Sequence, residues 1–374
     1  MPSPEAEPPN IASVLTEAIR TRRVLIGTFT VATLCTLAMV AAPPASAFSK
    51  AIWGTVTHNG VNQFPLYKQL GVTIYETNLY WDEIAPTQPR NPTNPRDPAY
   101  HWPADVQQAI NDAAAYHMRV LLQIIFAPSW ANGGHTGDGW APRSASTFVQ
   151  FAQAAAKKYP SVHLWMVWGE PTKEGNFMPL QQANPGARLN KGQKAMDRLY
   201  AEMVDGTYGA LKKLNKANQI IGGCTYTTGV IDPLQWIENM RLPNGKPPRM
   251  SMYAHNPFSY QSPQFGQSPS PFDEVQFSDL PELARWVDKY LHKGLPLFLS
   301  EWTIPTAQDD TFNYWVDPNV AAQWVALALR EARSWSRIYA LGWAYVYDNL
   351  PQVAGGLLYE NGTPKPDFYS FENG

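Results

Sequence analysis

Eight short apolar runs, separated by amphipathic stretches, recur from about residue 50 onwards. They occupy 50–56, 72–79, 119–126, 162–168, 218–225, 249–255, 296–301 and 338–345. They read as strands buried on both faces, which show continuous apolar character rather than alternation. Between them, apolar residues return at helical spacing. Val106, Ile110, Ala113 and Tyr116 form one such set, then Phe148, Phe151, Ala152 and Ala155, then Met196, Leu199, Met203 and Leu211. Leu283, Trp286, Val287 and Tyr290 follow Asp279-Leu280-Pro281-Glu282, which has the spacing of a capping box, and Trp324, Leu327 and Ala328 continue the theme. Strand and helix repeated eight times predict an α/β fold, a single (β/α)8 TIM barrel over residues 48–374. A doubly wound open sheet is the rival, but it usually carries a Gly-rich phosphate turn after an early strand, and none is present.

The first 47 residues read as an N-terminal extension and signal peptide. Arg20, Arg22 and Arg23 precede an apolar stretch from Val24 to about Ala42, and Ala45-Ser46-Ala47 supplies small residues for cleavage after Ala47. The expected location is therefore extracellular, with no membrane association after cleavage; an uncleaved anchor is the competing reading. Thr21-Arg22-Arg23 also permits twin-arginine export. Of the two cysteines, Cys35 lies in that segment and Cys224 stands alone, so no internal disulfide is expected in the mature chain.

A net charge of −2 and 16% charged residues give no electrostatic case for nucleic acid. Aromatic residues reach 13%, which favours a carbohydrate partner modestly, since their faces pack cores as well as sugar rings. Oligomeric state is not indicated. Two insertions, 87–103 with five prolines and 256–277 with Phe258 and Tyr260, follow strand ends, the barrel face that binds substrates, with ordinary surface loops the equal alternative.

Two of the runs end in a carboxylate. Trp165-Met166-Val167-Trp168-Gly169 leads to Glu170 and then Pro171; Pro296-Leu297-Phe298-Leu299-Ser300 leads to Glu301 and then Trp302. In a barrel the C-terminal strand ends converge, so strands four and seven can face these groups across one cleft. Carboxyls about 5–5.5 Å apart suit double displacement with retention, one as nucleophile and the other as acid and then base. Such a pair needs its pKa values held apart, raised on Glu170 so that it can donate a proton to the leaving oxygen while Glu301 stays ionised to attack, and Trp168 and Trp302 are candidates for the low-dielectric walls. Other barrel chemistries lack their residues. There is no His-x-His pair on the first strand, no lysine ending a run, no zinc-type Cys/His cluster and no Gly-x-Ser-x-Gly elbow. No cofactor and no metal is expected.

Trp168-Gly169-Glu170-Pro171 resembles the Trp-Asn-Glu-Pro motif of glycoside hydrolase clan A, and Leu299-Ser300-Glu301-Trp302 resembles its strand-seven nucleophile motif. Gly71-Val72-Thr73 through Trp81-Asp82-Glu83-Ile84-Ala85-Pro86 is similar to the second-strand signature of the cellulase-like families, especially families 39 and 5. Ala127-Pro128-Ser129-Trp130-Ala131, Tyr253-Ala254-His255-Asn256-Pro257-Phe258 and Gly342-Trp343-Ala344-Tyr345 resemble the third-, sixth- and eighth-strand ends. The resemblance implies Glu170 as acid/base and Glu301 as nucleophile. It implies Tyr253 and His255 beside nucleophile or substrate, and Trp343 stacked on a sugar ring. Trp53, Trp81, Trp130, Trp302 and Gly169 complete the candidate substrate-binding set, with core packing the alternative for Trp53, Trp81 and Trp130. Two positions depart from the pattern: Gly169 replaces the Asn that contacts the sugar 2-hydroxyl, and Glu76 falls where many relatives carry Arg. The expected function is a secreted retaining hydrolase of β-glycosidic bonds in a poly- or oligosaccharide. A non-catalytic carbohydrate-binding barrel and a transglycosylase using the same residues are the alternatives.

Overall fold

The computed structural model describes residues 48–267 and 274–374. The signal-type segment, its cleavage point after Ala47, and Cys35 lie outside the described residues. Eight parallel strands close into a barrel in sequence order: β1 (Ser49–Trp53), β2 (Ile74–Tyr80), β3 (Arg119–Ile125), β4 (Leu164–Val167), β5 (Gln219–Tyr226), β6 (Met252–Asn256), β7 (Leu297–Trp302) and β8 (Ile338–Trp343). β1 pairs with both β2 and β8, which removes the sheet edges. A helix follows each strand: α1 (Phe64–Gln69), α2 (Ala104–Ala115), α3 (Ala145–Lys158), α4 (Lys191–Leu214), α5 (Pro233–Asn239), α6 (Leu280–Tyr290), α7 (Pro318–Ser334) and α8 (Pro366–Asn373). A small hairpin, Thr57–His58 with Val61–Asn62, stands between β1 and α1.

Helix starts follow local chemistry. Asn190 and Gln193 form a reciprocal capping box on α4, as do Asp232 and Gln235 on α5. The box expected at Asp279 and Glu282 lies one turn earlier. Asp279 accepts from the Gln276 backbone N–H and closes a 3-10 turn, Phe277–Asp279, that leads into α6. The Pro-rich insertion at 87–103 folds back on the outer layer. There Tyr100 and Trp102 pack against Phe151 of α3, and the Trp102 indole donates to the Pro95 carbonyl.

The barrel interior is a narrow apolar column that includes Ala51, Ile74, Leu121, Met166, Ile221, Met252, Ala254, Phe298 and Ala340. Side chains two apart on a strand share a face, so the next layer towards the C-terminal mouth holds Glu76, Gln123, Asn256 and Ser300. All four are buried. Strand pairing is interrupted where this layer begins. Leu299 and Trp302 of β7 oppose Leu341 and Trp343 of β8, three steps against two, so Ser300 and Glu301 occupy a bulge. β5 has the same irregularity between Gly222 and Thr225, where Gly223 and Cys224 take φ of 90° and 45°.

Gly342 sets how closely β8 passes this layer. A Cβ there would fall inside contact distance of the Ser300 carbonyl and of Glu76 Oε1, and the first of these is backbone that has nowhere to go. Gly342→Ala is therefore expected to destabilise the fold by about 1–3 kcal/mol through overpacking. Urea denaturation checks it; a variant as stable as the parent would mean that β7 and β8 separate freely.

Candidate active site

Glu170 leaves the end of β4 on a backbone that few side chains tolerate. Trp168 has φ 64° and Glu170 φ 41°, with Gly169 between them. Left-handed conformations in non-glycine residues cost of order 1–3 kcal/mol each and concentrate at functional sites. The excursion delivers the Glu170 carboxyl, which is buried, onto two nitrogen donors: Asn256 Nδ2 at 2.9 Å on Oε1 and Lys173 Nζ at 3.1 Å on Oε2. Both Glu170 oxygens are thus engaged, one by an amide and the other by an ammonium group.

Glu301 is half-buried and comes from the β7 bulge. Its backbone N–H donates to Asn256 Oδ1 at 3.1 Å, so one amide ties β4 to β7. Burial first, and then the negative charge of Glu170, push the Glu301 carboxyl up to about 8, against a smaller lowering by Lys173. This differs from the expectation that Glu170 would hold the raised pKa and Glu301 stay ionised. The cause is the asymmetry of donors, since Lys173 and Asn256 both serve Glu170.

Glu76 is the third carboxylate of the mouth. It is fully buried; Oε2 accepts from the Ser300 hydroxyl at 2.7 Å, and Oε1 has no partner. Burial and, less strongly, Glu301 hold it well above the usual carboxylate range, opposed by the Ser300 hydrogen bond. Ser300 in turn accepts from the Trp53 indole at 3.2 Å, so the half-buried Trp53 is locked to this layer. At Gly169 a Cβ would overlap the Gln123 amide. The space an asparagine would need at position 169 is thus occupied from β3.

The other sequence candidates stand away from open solvent. Tyr253 and His255 are wholly buried. His255 Nε2–H donates to the Val275 carbonyl at 2.9 Å, which leaves Nδ1 to accept from Thr225 at 2.8 Å; Thr225 in turn lies 3.1 Å from the Tyr253 hydroxyl. Burial lowers His255 to about 4, so the ring is neutral and serves this chain of bonds. Trp343 is buried edge-on to Trp302, its indole donating to the Gly355 carbonyl. Trp302 packs behind the site on Phe277, and Trp81 stacks on Phe151. Trp130 is half-buried, edge-on to Trp81, and donates to the Ala85 carbonyl. Trp168 is buried and donates to the Asn176 carbonyl, so it braces the loop after Glu170.

The structure thus brings together Glu170, Glu301, Glu76 and, through Ser300, Trp53. Sequence reasoning missed Asn256, Lys173, Gln123 and Tyr345. Tyr345 is half-buried, and its hydroxyl is raised by burial and then by the charges of Glu301 and Glu170. A signal for Asn256 existed, because it ends its strand immediately before Pro257 as Glu170 ends its own before Pro171. Lys173 had none, since its partner is set by the turn in which the Lys173 N–H donates to the Glu170 carbonyl. Among the described residues no group of three or more His, Cys, Asp or Glu is placed to hold a metal ion.

No protein-family model matches the chain, and no curated protein matches it in sequence. Solved structures do match. A family 39 glycoside hydrolase from the gut symbiont Bacteroides cellulosilyticus WH2 aligns with 88% of this chain and 64% of its own length, at 17% identity and TM-score 0.62. A monomeric β-xylosidase from Caulobacter crescentus aligns over 87% and 67%, at 16% identity and TM-score 0.59. A glucosidase from Croceicoccus marinus gives 87% and 67%, 14% identity and TM-score 0.62. The chain therefore spans about two thirds of the length of these structures. At such identity the likeness is one of fold, the (β/α)8 barrel that this chain shares with family 39 glycoside hydrolases.

Proposed function

We propose that this chain is an exported retaining glycoside hydrolase acting on β-glycosidic bonds of a poly- or oligosaccharide. The observation that carries this reading is the meeting of Glu170 and Glu301, from β4 and β7, on the single Asn256 amide at the C-terminal mouth of the barrel. In the proposed reaction Glu301 attacks the anomeric carbon while Glu170 protonates the departing oxygen. Glu170 then takes a proton from the water that releases the sugar. Glu301 is the member of the pair that burial and its neighbour raise. Turnover needs the pair's proton on Glu170 and Glu301 ionised, with Lys173 giving way to the leaving-group oxygen. A second reading, a carbohydrate-binding barrel without turnover, is favoured by one feature. Gln123 fills the space beside Gly169 from which a side chain would reach the sugar, removing a hydrogen bond that strengthens in the transition state.

Purified protein from Phe48 onwards is expected to release product from a panel of aryl β-glycosides and β-linked polysaccharides. Glu301→Ala is expected to abolish release. Glu170→Ala loses ~10²–10⁴-fold on poor leaving groups, keeps activity on activated ones, and recovers there with azide. Binding without turnover across the panel, undiminished in both variants, would replace the enzyme with the binding barrel.

The pH dependence has a definite sign. The reaction needs one proton on the pair for the leaving group, so kcat/KM should fall as pH rises through about 8, where the last proton is lost. Lys173 lowers that value, so Lys173→Met moves the limb to higher pH. A pH–rate series on both proteins reads it; a limb left in place would remove Lys173 from the electrostatics of the site.

Asn256→Ala deletes the charge-assisted bond to Glu170 and the bond from the Glu301 N–H together. A charge-assisted bond contributes about 1.5–3 kcal/mol, which corresponds to a fall in kcat of roughly 10–100-fold. Steady-state kinetics should show that fall with KM changed much less.

A further inference from the structure

Beside the glutamate pair, at the mouth of β1 and β8, lies a cavity of about 470 Å³. Trp53, Thr55, His58, Tyr345, Tyr347 and Asn349 line it. Its size falls within the range of small-ligand sites, and its mix of aromatic faces with a few polar groups is what a sugar ring requires. Trp53 lines this cavity and its indole donates to the hydroxyl of Ser300, the residue immediately before Glu301, so the two spaces adjoin.

The walls are fixed in advance. The Trp53 indole is held by Ser300, itself bound to Glu76. The Gly54 carbonyl accepts from the Tyr75 hydroxyl at 2.6 Å and the Thr55 carbonyl from the Tyr67 hydroxyl at 2.8 Å. A side chain at Gly54 would overlap the Tyr67 ring, so the chain passes here only as glycine. On the outer side His58, in the hairpin, stacks on Tyr347 at 3.9 Å and 10°, while the Tyr347 hydroxyl donates to Gln63. The small hairpin between β1 and α1 thus serves as one wall of the cavity.

Direction follows from strand order. In a closed ring of eight, β8 and β1 lie across from β4 and β5. Glu170 and Lys173 stand at the β4 end, so a leaving group protonated there departs on the side away from the cavity.

We propose that the β1–β8 cavity is a second sugar subsite, taking the pyranose ring joined to the non-reducing side of the one being cleaved. The protein then recognises at least a β-linked disaccharide unit on that side. This rests on the glycosidase reading above and names its substrate class.

The test compares p-nitrophenyl β-glycosides of glucose, cellobiose, laminaribiose, xylose and xylobiose in kcat/KM. For the accepted sugar the disaccharide glycoside should exceed the monosaccharide at least tenfold, and that ratio should fall towards one in Tyr347→Ala and in His58→Ala. Calorimetric binding of cellobiose, laminaribiose and xylobiose, against their monosaccharides, reads the same preference without turnover. Equal rates or equal affinities for mono- and disaccharide, or a ratio that both variants leave intact, overturn the subsite while the hydrolase stands. Disaccharide binding that depends on Tyr347, with no turnover of any glycoside, keeps the subsite and overturns the hydrolase. Absence of both binding and turnover overturns both.

Discussion

Three carboxylates at the end of an apolar barrel are the constraint from which the rest of this mouth follows. An isolated ionised group moved out of water costs far more than a fold can supply, so each must be paired, hydrogen-bonded or neutral. Glu170 takes the first course, with Lys173 and Asn256 on its two oxygens. Glu76 and Glu301 take the last, pushed up by burial and by the negative charge near them. The solutions are linked, because every charge allowed on one carboxylate raises the cost on the next. Lys173 acts on both members of the pair, through its ion pair with Glu170 and by lowering Glu301.

The same constraint explains why the strand ends are irregular. A regular β4 would continue its pleat and point Glu170 along the wall, whereas left-handed Trp168 and Glu170 turn the carboxyl over the mouth. The bulge at Ser300 and Glu301 lets one residue face the Glu76 layer while the next opens to the cleft. Glycine carries the close passages, at Gly342 beside Ser300 and at Gly54 beside Tyr67. Rigid packing behind these turns, from Trp302 on Phe277 and Trp343 to Trp168 on the Asn176 carbonyl, holds the strain in place.

Much of the barrel was legible in the chain. Strands buried on both faces demand continuous apolar runs, so all eight could be located to within a few residues, and Glu170 and Glu301 stood out as charges at the ends of such runs. The aromatic residues were less readable. Trp81, Trp302 and Trp343 share the composition of a sugar platform yet pack between sheet and helices, while Trp53 borders an open cavity. Period-two alternation assigns a side chain to a face only while the strand is regular, and these strands lose regularity where the site begins.

The sequence by itself determined the strand–helix repeat, the closure that eight such units favour, and the delivery of two glutamates to one end. These depend on hydrophobic periodicity, which is local. Tertiary structure alone decided that Asn256 joins those glutamates, that Gln123 occupies the space beside Gly169, and that Lys173 pairs with Glu170 while burial and that neighbour raise Glu301. Each of those outcomes turns on which side chains from distant strands share a small volume of low dielectric. Hydrogen bonding and charge act there over a few ångströms of space, and separation along the chain carries no record of it.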